Sequence, residues 1–144
     1  MSGARAWIDG ASRGNPGDAG FGVLFESDGQ REEIVGFLGR TTNNVAEYAG
    51  LVAALTHAVR SGCDELELFS DSQLLVRQIE GAYKVKAAHL VPIFLSVLSL
   101  RRRLGRFSIR HVPREENREA DALANRAIDT RAPAPEWLEL ELPA

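Results

Sequence analysis

Three apolar runs crowd the first forty residues, and one long Ala/Leu/Val-rich stretch follows them without a break. That order is the strongest constraint on what this chain can fold into. Residues Arg5 to Asp9 read as a first strand, Phe21 to Glu26 as a second and Glu33 to Leu38 as a third. Asp28-Gly29 between the last two is a hairpin signal, so the three should form an antiparallel meander. Asn44 to Arg60 then reads as a helix stopped by Gly62, apolar on nearly every face and therefore packed on more than one side. "ELELFSD", Glu65 to Asp71, is a short strand. Helices follow from Ser72 to Gly81 and from Leu90 to Leu104, then a strand from Phe107 to Val112. A last helix begins near Asn117, with Ala120, Leu123, Ala124, Ala127 and Ile128 at helical spacing. Three strands followed by α-β-α-α-β-α predict an α/β architecture, a mixed sheet flanked by helices.

The chain has 144 residues, enough to bury a core without disulfides. Its single cysteine, Cys63, has no internal partner, which points to a reducing setting, and the cytoplasm is the expected location. No apolar run approaches the roughly 20 residues that a bilayer demands, and the first residues lack a signal-peptide pattern. The domain is expected to occupy residues 1–131. Residues 132–144 contain "APAPEWLELELPA", whose alternating Leu138, Leu140 and Leu142 suggest either an extra edge strand or a partner contact. Net charge is −3, yet Arg77 to Arg118 holds ten Lys or Arg against three Glu, a local +7. Such a segment is either a solvated face or a footprint for a polyanion.

Four acids occupy unusual places. Asp9 closes the first apolar run and could simply begin a turn with Gly10. Glu47 sits early in the Ala-rich helix, where it could face water or favour the helix dipole. Asp71 ends a strand before Ser72 and could be a helix cap. Asp121 borders the apolar stripe of the last helix and could be a surface acid. Together they are harder to dismiss, because two lie at strand ends and two near the starts of helices that should pack on that sheet. Converging carboxylates repel one another unless protons or a cation intervene. Oxygen-only ligands favour a hard ion, Mg²⁺ or Mn²⁺.

"IDGASRGNPGDAGFG", "RTTNNVAEYAGLVAAL", "SDSQLLVRQI" and "HVPREENREADALAN" resemble, in order, the signature blocks of type 1 ribonuclease H, over about Ala6 to Ile128. The resemblance implies a ribonuclease H-like fold with a five-stranded mixed sheet, three antiparallel strands and then parallel ones. It implies endonucleolytic hydrolysis of the RNA strand of RNA–DNA hybrids with two Mg²⁺ or Mn²⁺ ions, leaving 5′-phosphate and 3′-hydroxyl ends. The family's acidic quartet falls on Asp9, Glu47, Asp71 and Asp121. By analogy Asp9 bridges both ions, Glu47 and Asp71 complete one site, and Asp121 completes the other. Gly10, Gly14 and Gly17 would let nucleic acid approach the backbone. Asn15, Asn43 and Gln73 match minor-groove and 2′-hydroxyl contacts, which tell RNA from DNA. Arg40, Thr42 and Asn15 match a pocket for a DNA-strand phosphate, although a loop and helix cap would explain Arg40 and Thr42 as well.

Two departures are visible. Many bacterial relatives carry a His before the final acid, thought to help product leave. This chain has "PREENREAD" there, and Arg114 is the candidate substitute, with Glu115 and Glu116 behind it. His111 is expected inside the preceding strand, in the core or on a sheet face, and His57 and His89 at ordinary helix or loop positions. Longer relatives also insert a basic handle where this chain has only "AYKVKAAH". Lys84 and Lys86, with Tyr83 as a stacking surface, would be a reduced version giving weaker, salt-sensitive binding. The expected partner is an RNA–DNA hybrid, with double-stranded RNA a second substrate in some short relatives; no membrane is involved and the chain is expected to be a monomer. The alternatives are a non-catalytic hybrid-binding module, which should lack an acid, and an exonuclease or recombinase of the same fold, which should lack "TTNN" before the Glu.

Overall fold

The computed structural model describes residues 3–142. The meander comprises β1 (Gly3–Gly14), β2 (Gly17–Ser27) and β3 (Gln30–Thr41). Helix α1 (Asn43–Arg60), β4 (Glu65–Ser70), α2 (Gln73–Glu80), α3 (Val91–Arg101), β5 (Arg106–His111) and α4 (Arg118–Thr130) follow. The sheet order is β3-β2-β1-β4-β5; β1, β2 and β3 are antiparallel, and β4 and β5 run parallel to β1. This is the five-stranded mixed sheet that the sequence predicts. No helix among the described residues is long and apolar enough to cross a membrane.

Local chemistry explains the joints. Asp28 (φ 52°) and Gly29 (φ 76°) are both left-handed, and the flanking pair Ser27–Gln30 closes a two-residue hairpin with the twist that antiparallel strands prefer. Thr42 Oγ1 accepts from Val45 N–H (3.3 Å) and opens α1; Ser72 Oγ accepts from Leu75 N–H (3.2 Å) and opens α2. Left-handed Gly81 ends α2. Helix α1 is buried from Val45 to Leu55 because the sheet lies on one side of it and α3 on another. Helix α4 covers the opposite face of β1, β2 and β3 with the predicted stripe.

Besides β2 and β3, which run longer at both ends than expected, three departures have a specific reason. The glycine-rich stretch after Asp9 reads as a loop, but it pairs with β2 as far as Gly14–Gly17, so Asp9 lies within β1 rather than at its end. Glycine and serine are weak strand formers, but here β2 supplies a full ladder of pairing that outweighs their propensity. Helix α3 is shorter than Leu90–Leu104; it follows a single 3₁₀ turn at Ala88–Leu90 and stops at Arg101. Gly105 then passes so close to Asp64 that a Cβ would lie 2.6 Å from its Oδ1. Residues 132–142 form no strand. They run over β3 and α1 instead: Phe37 N–H donates to Ala132 O (2.7 Å), Ala134 lies against Gly36, and Trp137 packs on His57 with Arg60 over its ring. Pro143 and Ala144 lie outside the described residues.

Candidate active site

The parallel register of β1 and β4 ends at the pair Ile8–Ser70, so β1 runs on past the carboxyl end of β4 with an open edge at Asp9. Asp71 is the residue after β4. On one face, Gly10 lets α1 reach the strand: a Cβ there would sit 2.3 Å from Ala46 C and from Glu47 N. On the other face, Gly22 is the strand partner of Asp9, and a Cβ on it would sit 2.5 Å from Leu123 Cβ and 2.7 Å from Ala120 O of α4. Two glycines therefore draw a helix onto each face at the level of Asp9. Asn117, just before α4, adds a tie by donating from Nδ2 to Ile8 O (2.9 Å). Each helix brings one acid, Glu47 from α1 and Asp121 from α4.

Carboxylate oxygens of Asp9, Glu47 and Asp71 lie within 4.8 Å of one another. Asp9 and Glu47 are buried and Asp71 is half-buried. Burial foremost, then the charge of Asp71 and the hydrogen bond and charge of Asp121, push the Asp9 carboxyl up to about 8; the Gly10 amide opposes them. Glu47 is raised well above the ordinary range by burial and by Asp9 and Asp71, with the Gly10 amide and Arg114 acting the other way. Its Oε2 is buried without a hydrogen-bond partner. A buried, unpaired carboxylate oxygen beside two more carboxylates costs several kcal/mol unless protons or a cation compensate. The donor set, all oxygen and with no His or Cys among the clustered residues, suits a hard divalent cation.

The simpler explanations of Asp71 and Glu47 fail here, each for a specific reason. Ser72, not Asp71, caps α2. Glu47 points inward, not to water. Asp121 is exposed, as a surface acid would be, yet it lies close enough to Asp9 to raise that carboxyl's pKa.

The remaining expected residues divide into those the fold gathers and those it leaves apart. Asn15, Thr42 and Asn43 meet at the start of α1, where Asn15 Oδ1 accepts from Asn43 N–H (3.0 Å). Thr42 therefore is the helix cap, and Arg40 lies two residues before it at the end of β3, opposite Asp18. Gln73 is exposed at the first position of α2, two residues past Asp71. Arg114 stands on a 3₁₀ turn (Arg114–Glu116), near enough to Glu47 to act on its carboxyl. Lys84 and Lys86 are exposed on the irregular segment after α2, with Tyr83 half exposed beneath Arg77 (5.6 Å). Gly14 (φ 108°) and Gly17, whose Cβ would lie 2.2 Å from Arg13 O, make the tight turn. Gly10 has a further role that the sequence reading did not foresee: its bare face is turned to α1 and admits the helix. His111 ends β5 exposed, so it is not in the core. Sequence reasoning missed Gly22 and Asn117, and also Asn125, which donates from Nδ2 to Asp121 Oδ1 (3.3 Å). Only the i, i+4 spacing of Asp121 and Asn125 was a signal in advance.

Residues 8–127 match a family model described as "Reverse transcriptase-like". Over 127 residues the chain is 43% identical to a bifunctional protein of Mycobacterium tuberculosis, covering 86% of this chain and 35% of that protein. It is 46% identical over 126 residues to the ribonuclease HI of Halobacterium salinarum, covering 86% of this chain and 63% of that protein. The chain thus spans about a third to under two thirds of the length of these curated relatives. The crystal structure of the Halobacterium RNase H1 superposes with a TM-score of 0.84 at 44% identity, covering 89% of this chain and 98% of the other. LC11-RNase H1, solved in complex with an RNA/DNA hybrid, gives 0.82 at 39% identity over 89% of this chain and 98% of the other.

Proposed function

Because the chain belongs to the ribonuclease H family, we propose that it hydrolyses the RNA strand of RNA–DNA hybrids endonucleolytically, leaving 5′-phosphate and 3′-hydroxyl ends. The observation that carries this reading is the Asp9–Glu47–Asp71 cluster with its buried, unpartnered Glu47 oxygen. Asp9, Glu47 and Asp71 would hold one Mg²⁺ or Mn²⁺, and Asp9 with Asp121 a second. Bound, such ions supply charge neutralisation at the scissile phosphate and a hydrolytic water at neutral pH.

The chain's own groups do the rest. Gly10 fixes Glu47 against Asp9, and its amide stabilises both carboxylates in their charged form. Arg114, whose charge acts on the Glu47 carboxyl, is the group we assign to product departure. Gln73, Asn15 and Asn43 offer amides that both donate and accept, the capacity needed to read a 2′-hydroxyl and base edges in a minor groove. Arg40 and Thr42 offer charged and neutral donors to a phosphate of the DNA strand. Lys84 and Lys86 extend the positive surface that tracks the duplex. A hybrid-binding module without chemistry is the weaker reading, because it gives no reason to assemble four mutually repelling acids.

The deciding experiment is cleavage of an end-labelled RNA–DNA hybrid with Mg²⁺ or Mn²⁺, wild type beside Asp9→Asn. The expected result is cleavage of the RNA strand only, abolished by EDTA and reduced at least about 10³-fold in the variant. Binding without cleavage in either metal would move the assignment to the non-catalytic module. Double-stranded RNA run alongside tests the second substrate.

A further inference from the structure

On α4, Asn125 lies one helical turn beyond Asp121, and its Nδ2 donates to Asp121 O (3.0 Å) and Asp121 Oδ1 (3.3 Å). An amide at that spacing could sit either way round, because its two ends have similar shapes. Arg13 decides the matter. Its Nη2 donates to Asn125 Oδ1 (3.1 Å), and a guanidinium has donors only, so the amide oxygen must face Arg13 and the amide nitrogen must face Asp121. Arg13 is itself held by Asp129 Oδ1 (2.5 Å from Nη1), one further turn along α4. Asp121, Asn125 and Asp129 therefore line one face of the helix. A residue near the end of β1 closes the series, which alternates acceptor, amide, guanidinium and acceptor.

We propose that Asn125, oriented by Arg13, is a positioning residue that holds the exposed Asp121 carboxylate in the rotamer in which it ligates a divalent cation together with Asp9. The proposal rests on the hydrolase reading above and adds to it the device that makes the fourth acid competent. Asp9, Glu47 and Asp71 are fixed by burial or by the ends of paired strands. Asp121 stands in solvent on a helix surface, where an unrestrained side chain exchanges rotamers freely. Among the described residues, Asn125 is the side chain that hydrogen-bonds the Asp121 carboxylate. Asp9 is itself an acid and, once ionised, offers that carboxylate no donor of its own, whereas the Asn125 amide does. The Arg13–Asp129 pair is about half exposed at both ends, so it adds little to folding stability. Orientation is the role left for it.

The test is a Mn²⁺ titration followed by electron paramagnetic resonance without nucleic acid, on wild type, Asn125→Leu, Arg13→Met and Arg13→Lys. Alongside it run thermal melts and the Mn²⁺ concentration for half-maximal hybrid cleavage. Loss of an outer-sphere partner lowers metal affinity about 10- to 100-fold. The expected result for Asn125→Leu is therefore weakening of about tenfold or more at one of two classes of site, with KM for the hybrid unchanged and cleavage restored by excess Mn²⁺. Arg13→Met should show a smaller loss in the same class, Arg13→Lys should recover part of it, and Arg13→Met combined with Asn125→Leu should add little to Asn125→Leu alone. Normal Mn²⁺ binding by Asn125→Leu overturns the proposal, and so does equal weakening of both classes together with a large fall in melting temperature. A wild type that binds Mn²⁺ yet cleaves no hybrid overturns the hydrolase reading instead, and leaves the positioning of Asp121 to be judged by the titration.

Discussion

The open edge of β1 at Asp9 and the irregular segment from Gly81 to His89 both concentrate charge, and they do so under opposite physical rules. At Asp9, like charges are buried within 4.8 Å of one another, on elements locked by backbone contacts closer than a methyl group would permit. At Lys84 and Lys86, charges of the other sign stand in water on a segment without helix or strand until its last turn. Desolvated charge is expensive, so the first region is committed to a narrow geometry and to a cation that offsets the repulsion. Solvated charge costs little, so the second region can add affinity without any commitment of position. On the function proposed above, the difference separates chemistry from grip within one small domain.

The largest expected effect comes from breaking the committed geometry. Gly10→Ala puts a methyl group 2.3 Å from the α1 backbone, which cannot yield as a flexible side chain would. Overpacking of that kind should cost roughly 3 kcal/mol in denaturant melts, and displacement of Glu47 should lower hybrid cleavage about 100-fold. Gly29→Ala is the control: it has a left-handed φ of 76° but nothing within 4 Å, so it should lose only about 1 kcal/mol and no activity. Equal effects at the two glycines would remove the argument that α1 contact places the acid.

A smaller effect is expected from pH. In the unfolded chain Asp9 gives up its proton near 3.8, whereas the native carboxyl keeps it to about 8. The native state thus binds more protons across that window, and metal-free stability should fall as pH rises from about 4 to about 8, then level off. The total is on the order of a few kcal/mol, read from melts in EDTA. Divalent cation should flatten the slope, and Asp9→Asn should remove much of it while raising the metal-free melting temperature. A metal-free stability that rises with pH through this range would contradict the burial argument.

The smallest effect belongs to the uncommitted region. Lys84→Ala with Lys86→Ala should weaken hybrid binding roughly tenfold near 0.1 M salt and reduce the salt slope by up to about 2, with kcat unchanged. Melting should be unaffected, since surface substitutions of this kind fall within about 0.5 kcal/mol. An unchanged salt slope would remove these lysines from the nucleic-acid surface.

Much of this fold can be read along the chain because its signals are local. Asp28-Gly29, Ser72, Gly62 and Gly81 punctuate the elements wherever their φ values or caps require them, and the α4 stripe repeats at helical spacing. The acids were legible as a group because carboxylates beside apolar runs need a reason. The strand character of Ala11 to Gly14 was hidden, since weak strand formers gain their structure from the partner that pairs with them. Arg13 and Asn125 were hidden for a related reason: 112 residues separate the two ends of their hydrogen bond.

The sequence by itself determined the element order, the two-residue hairpin turn and the four acids as a candidate group, because each depends on residues only a few positions apart. The tertiary structure decided that Asp9 lies within a strand, that Gly10 and Gly22 admit helices on opposite faces, and that Asp121 accepts from an amide which a distant arginine also contacts. Close approach between surfaces far apart in sequence leaves no periodic trace along the chain. It appears only when the sheet has assembled and the helices have settled on both of its faces.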